Sequence, residues 1–321
     1  MAQGGKATLA GVAYGMGAGA LWGLVFLAPQ LASAFGPLQL TIGRYLAYGL
    51  LSLALIAPRR RMLASHLARH DGRELALLAL LGNTLYYVLL SAAVQAGGIA
   101  MTSLVIGFLP VAVTIIGRRD ADAVPLRRLL PSLLLCGAGA ICVGWQAFAL
   151  LDSASIEPLI GLACAIGALA SWTAYAVRNS RALARLDAIS AHDWSLLIGI
   201  ATGAQCLLLL PLALFLENWR HGAPDWLLFA GVSVGVALLA SIAGNALWNR
   251  MSRLLPLALT GQMILFETLF ALLYAFWWEQ RGPTALEAAA FGFVIASVLA
   301  CVAAHGGAGA RPTKLAMEAP E

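Results

Sequence analysis

Residues 75–117 read LALLALLGNTLYYVLLSAAVQAGGIAMTSLVIGFLPVAVTIIG, and no Asp, Glu, Lys or Arg interrupts them. A helix crosses the hydrocarbon core of a bilayer in about 20 residues, so this stretch is long enough for two crossings. Gly97-Gly98 lies near its middle and divides it into spans 75–96 and 99–117 joined by a very tight hairpin. Continuous runs such as Leu75–Leu81 and Leu207–Leu210 lack the alternation of a barrel strand. In lipid every backbone group must find its partner within the protein, so these segments are helices.

The rest of the chain follows the same rule. Ala7–Gly43 is a second window without charge, and of the 321 residues 61% are hydrophobic and only 11% charged. A soluble domain carries about 25% charge, and the mean hydropathy here is +0.84. Spans are expected at 8–31, 38–57, 75–96, 99–117, 129–147, 159–178, 194–216, 226–249, 255–278 and 286–305. Ala32-Ser33-Ala34 resembles a signal-peptidase site, but the preceding run is too long for a signal core and contains Trp22 and Pro29. It is read as the first span.

Orientation comes from the loops. One alternate set holds Lys6, Arg59, Arg60, Arg61, Arg69, Arg73, Arg118, Arg119, Arg127, Arg128, Arg178, Arg181, Arg185, Arg250, Arg253, Arg311 and Lys314, which is 17 of the 20 basic residues. The opposite set holds only Arg220 and Arg281, and Arg44 lies within a span. Positive charge marks cytoplasmic loops, so both termini are expected in the cytoplasm and the span count is even. The net charge of +5 is thereby explained by topology, and no aromatic–basic pattern of a nucleic-acid binder occurs. The five cysteines, Cys136, Cys142, Cys164, Cys206 and Cys301, fall in apolar segments at no metal or redox spacing.

The two halves echo each other. Gly19-Ala20-Leu21-Trp22 corresponds to Leu169-Ala170-Ser171-Trp172, and Gly82-Asn83-Thr84-Leu85-Tyr86 to Gly244-Asn245-Ala246-Leu247-Trp248. Five spans per half put the second copy in the membrane upside down. Inverted repeats are a recurrent transporter plan, with substrate bound near the midplane between the repeats.

Several residues stand out as candidates. Glu267 lies within the ninth span, where an ionisable group is expensive and marks a pathway by default. It is read either as a proton-coupling group or partner for a substrate ammonium, or as a hydrogen-bonded link between helices. Arg44 either snorkels to the nearer surface or lines a vestibule and meets an anionic group. Asn83 and Asn245 bridge helices or touch substrate. Trp22, Tyr86, Tyr87, Trp172, Tyr175 and Trp248 fall well inside the echoed spans and would line a cavity suited to a flat apolar or aromatic solute. Trp194, Trp219, Trp226, Trp277 and Trp278 sit at span ends, as interfacial aromatics do. There is no Walker lysine or dinucleotide fingerprint, so no cofactor is expected and ATP hydrolysis by the chain is excluded.

The chain resembles the drug/metabolite transporter superfamily in its two-repeat EamA branch. The likeness rests on Gly19–Gly23, on Gly36-Pro37 followed by Arg44, and on Ala258, Glu267, Trp278-Glu279 and Gly292. It departs at Arg118-Arg119-Asp120, where the family often has Gly-Glu, and at Glu267-Thr268, where Glu-Pro is usual. The resemblance agrees with the reading of the spans as an all-α protein of ten transmembrane helices in two inverted five-helix repeats, 1–151 and 152–305, before a disordered cytoplasmic tail over 306–321. It implies a cavity lined by the first, third, fourth, sixth, eighth and ninth spans. The expected activity is secondary export of aromatic or other apolar amino acids or similar metabolites from a bacterial inner membrane by alternating access, with protons as the candidate coupling ion. A facilitator or an exporter of drugs or other metabolites is the alternative. An integral-membrane enzyme ranks lower, since His66 and His70 sit in a loop among Arg69 and Arg73.

Overall fold

Ala2–Leu31 form the first helix, α1, followed by α2 at Pro37–Ile56. The third passage begins with α3 at Arg69–Ala79, loosens into a π-helical turn at Leu80–Thr84 and continues as α4 at Leu85–Ile106. Next come α5 (Leu109–Gly117), α6 (Leu126–Ala149), α7 (Glu157–Leu183) and α8 (Ala191–Leu216). The last part holds α9 (Ala223–Val236), a second π-helical turn at Ala237–Gly244, and α10 (Asn245–Leu254). A short 3-10 turn at Gly261–Ile264 then leads into α11 (Leu265–Trp278), and α12 (Ala285–Gly306) follows. This computed structural model describes residues 2–61, 63, 69–117, 126–149, 156–183, 185, 189–255 and 261–306. Arg118-Arg119-Asp120, His66, Ala258, the division at 151–152 and the tail beyond 306 lie outside them.

Among the described residues, seven stretches are long and apolar enough to cross a membrane, and Leu265–Trp278 and Ala285–Cys301 are shorter apolar helices. One of the seven, Asp71–Ile106, runs for 36 residues, but it is not straight. Gly98 has φ 83° and ψ 165°, a conformation reserved for glycine. The chain folds back there: Tyr86 and Ile106 border one cavity, although a straight helix would hold them about 30 Å apart. The hairpin expected at Gly97-Gly98 is thus present.

Outward side chains suit lipid. Leu208 and Phe215 of α8 are 82% and 86% exposed, as side chains facing hydrocarbon are expected to be. Inward, small residues let backbones approach: a side-chain carbon on Gly49 of α2 would stand 3.0 Å from the Cα of Gly203 in α8. The main pairings are α4 with α7, α2 with α8, α6 with α12, and α1 with both α10 and α11. α1 therefore packs against the π turn at 237–244 and the helices that follow it, while α7 packs against the π turn at 80–84, α4 and α5. Toward the Gly98 end Phe26, Leu90, Ala93, Val94, Ile99 and Leu104 are all sealed.

Candidate functional site

The two π-helical turns fall at Gly82-Asn83 and just before Asn245, the two echoed segments of the sequence. A π turn breaks the regular ladder and frees carbonyl oxygens, often at functional sites. In each case the crossing helix supplies the missing donor. Trp22 of α1 donates its indole N–H to the Ala240 carbonyl at 3.1 Å, and Ser171 of α7 donates its hydroxyl to the Leu81 carbonyl at 2.7 Å. The glycines of both turns receive an aromatic ring. A side-chain carbon on Gly82 would stand 2.4 Å from the Tyr175 ring, and one on Gly244 2.7 Å from the Trp22 indole nitrogen.

Between these turns lies a cavity of about 130 Å³. Eight of the ten singled-out residues border it: Trp22, Arg44, Asn83, Tyr86, Trp172, Tyr175, Asn245 and Glu267. Tyr87 and Trp248 stand behind the wall. Successive residues of a helix point about 100° apart, so Tyr86 faces the space while Tyr87, 1% exposed, lies under the Arg44 guanidinium. Trp248 packs against Trp22 with ring centroids 5.0 Å apart, beside the cluster of Met251, Leu255 and Met263.

The polar groups are arranged unevenly. Asn83 donates to Thr202 Oγ1 of α8 at 2.9 Å, which ties the π turn to a neighbouring helix. Asn245 donates to the Ser241 carbonyl one turn back, so the two asparagines do not bond to each other. Arg44 does not snorkel. It is buried, with its Cζ 4.8 Å from the Tyr45 ring centre and 4.4 Å from that of Tyr87. Glu267 enters on α11, whose crossing with α1 is so close that a side-chain carbon on Gly19 would lie 2.9 Å from the Glu267 nitrogen. Trp172 and Tyr175 share a face of α7 with ring centres 5.5 Å apart.

Nine further residues complete the wall, among them the polar Tyr45, Tyr48, Ser195 and Ser241. Tyr48 donates to the Ser195 carbonyl at 2.9 Å, joining α2 to α8. The positions of Tyr48 four residues after Arg44, and of Ser241 four before Asn245, were the available signals. A second cavity of about 260 Å³ lies at the other end, bordered by Gly97, Gly98, Gln146, Pro158, Glu279, Arg281 and Glu287. There Arg281 holds Glu287 through two 2.7 Å bonds and Glu279 through one of 2.6 Å. The Glu287 carboxylate beside it pushes the Arg281 guanidinium above its ordinary range.

A bundle of apolar helices, broken at matched points around a polar and aromatic cavity, defines a polytopic membrane transporter. The comparisons agree. The model of the EamA-like transporter family matches residues 9–145. The inner membrane protein YtfF of Escherichia coli (strain K12) is 31% identical over 316 residues, spanning 92% of this chain and 96% of that protein. A solved crystal structure shares the fold, with a TM-score of 0.57 at 19% identity over 92% of this chain and 96% of the other. The chain belongs to the EamA-like transporter family of the drug/metabolite transporter superfamily, whose members carry small metabolites across membranes.

Proposed function

We propose that this chain is a secondary exporter of amino acids, aromatic or otherwise apolar, with the central cavity as its substrate site. The observation that carries the reading is the pair of π turns, each capped by the crossing helix and each contributing an asparagine segment to one cavity. Two halves related in this way, 1–151 and 152–305, make ten crossings in which the second half is inverted. The alternation of basic loops puts both termini in the cytoplasm. Rocking of one half against the other would expose the cavity to each side in turn.

The aromatic walls, Trp22, Tyr86 and Trp172, suit a flat or apolar side chain. Glu267 serves as the coupling group: a carboxyl at this depth is costly when ionised, so its proton travels with the cycle. Uptake of labelled tryptophan, phenylalanine and alanine into proteoliposomes, with and without a pH gradient, tests this. Gradient-driven flux that favours the aromatic solutes and falls at least tenfold in Glu267→Gln is expected. Flux indifferent to both would make the protein a facilitator with a structural Glu267, and no amino-acid flux would refute the substrate assignment.

A further inference from the structure

Among the described residues, Arg44 is the basic side chain with buried nitrogens left unpartnered. It is 8% exposed, and its Nε and Nη1 are buried with no hydrogen-bond partner. Its remaining nitrogen, Nη2, makes only a long 3.4 Å bond to Ser241 Oγ. The Tyr45 and Tyr87 rings attract its charge, and the Tyr87 hydroxyl lies within reach of the guanidinium, but ring faces do not serve the in-plane N–H donors, and Nε and Nη1 stay unpartnered. Glu267 borders the same cavity within electrostatic reach of Arg44, but no ion pair joins the two among the described residues. A buried cation with free donors, held in place by packing, is prepared for an anion that arrives from outside.

The shape of that anion follows from the donors. A guanidinium presents parallel N–H groups that match the two oxygens of a carboxylate. A dianion would meet the Glu267 carboxyl in the same small space, which favours a single negative charge. We propose that Arg44 anchors the carboxylate of the transported molecule, so that the central cavity accepts small monocarboxylates and zwitterions with an apolar body and rejects amines that lack the acid. This rests on the cavity being the transport site, and it names the group by which substrate is recognised there.

The test uses the full chain in lipid nanodiscs. Tryptophan emission, which reports on Trp22 and Trp172 at the cavity wall, is titrated with 3-phenylpropionate, phenylalanine and 2-phenylethylamine. The wild type should bind the two acids saturably and the amine at least tenfold more weakly. Arg44→Gln should lose tenfold or more for both acids and close the gap to the amine, while Arg44→Lys keeps the preference for acids at reduced affinity. A merely structural Arg44 would leave that preference unchanged in any variant that folds. Equal binding of amine and acids by the wild type, unchanged acid affinity in Arg44→Gln, or no saturable binding of any of the three overturns the proposal. If Arg44→Gln does not fold, the wild-type order of acids over amine and the Arg44→Lys titration decide alone. Flux of a neutral or cationic solute without carboxylate binding would overturn the anchor and leave the transporter standing.

Discussion

α1 and α7 make matching contacts near their middles and differ toward their ends. Trp22 of α1 and Ser171 of α7 each bond to a carbonyl of the opposite π turn. Beyond that point α1 and the turn that follows it are tied to α4: Gln30 donates to the Val94 carbonyl at 3.0 Å, and Gln95 of α4 donates to the Phe35 carbonyl at 2.9 Å. α7 beyond Tyr175 turns instead to α3, through Arg178–Glu74 at 2.8 Å, and to α8, through Asn179 and Trp194. The cavity occupies the space between Tyr175 and Asn245 of α10. α1 is thus clasped to α4 at the Gly98 end, beside the second cavity, whereas the central cavity separates α7 from α10. In an alternating-access cycle the complementary state would open the clasp at the Gly98 end and bring α7 toward α10.

The largest effect is expected where helices are pinned throughout such a cycle. A side-chain carbon on Gly161 of α7 would stand 2.7 Å from the Gly97 nitrogen, backbone against backbone, with no flexible side chain to give way. Gly161→Leu should therefore abolish folded protein, since overpacking of this kind costs about 1–3 kcal/mol even where side chains can yield. Gly137→Leu is the control: nothing lies within 4 Å of its added carbon. Size-exclusion profiles after extraction should show a monodisperse peak for Gly137→Leu and aggregate for Gly161→Leu. Equal behaviour would mean the α4–α7 contact is not the fixed part of the bundle.

Most of the helical plan could be read in the sequence, because in a bilayer hydropathy and charge-free length report directly on spanning segments. The Gly97-Gly98 reversal and the cavity-bordering Trp22, Asn83, Tyr86, Trp172, Tyr175, Asn245 and Glu267 were legible as polar or aromatic groups in echoed apolar spans. Helical phase is not legible at single-residue precision, so the sequence pattern groups Tyr87 with Tyr86 although it lies behind the wall. The π turns left no mark in composition. They are made by tertiary donors from α1 and α7, and no local propensity announces them. From sequence Arg44 fits either snorkelling or lining a vestibule, and its tyrosine neighbours appear only once α2 and α4 are packed together.

The clasp itself can be fixed. In a chain whose five native cysteines are replaced, Gln30→Cys with Gln95→Cys joined by a short reducible thiol cross-linker should stop flux almost completely, and reduction should restore it. Each single cysteine treated alike should transport normally. Flux that persists in the cross-linked protein would show that the Gly98 end does not open, and the difference between α1 and α7 would then be a permanent asymmetry.

Loosening the clasp is the gentler counterpart. Gln95→Leu removes the bond to Phe35 and the long 3.5 Å contact with the Pro29 carbonyl. Interhelical hydrogen bonds in membranes average about 0.6 kcal/mol, so losing this pair shifts the balance between states by about 1 kcal/mol, or roughly fivefold. That is large enough to detect and too small to unfold the bundle, as a gate must be if it opens in every cycle. Thiol labelling of a single cysteine at Val94 should rise by about that factor in Gln95→Leu, with thermal stability nearly unchanged. A large loss of stability without increased labelling would instead make Gln95 a structural strut. No change in either would place the closure of this end in the sealed apolar layer of Phe26, Leu90 and Ile99 rather than in its hydrogen bonds.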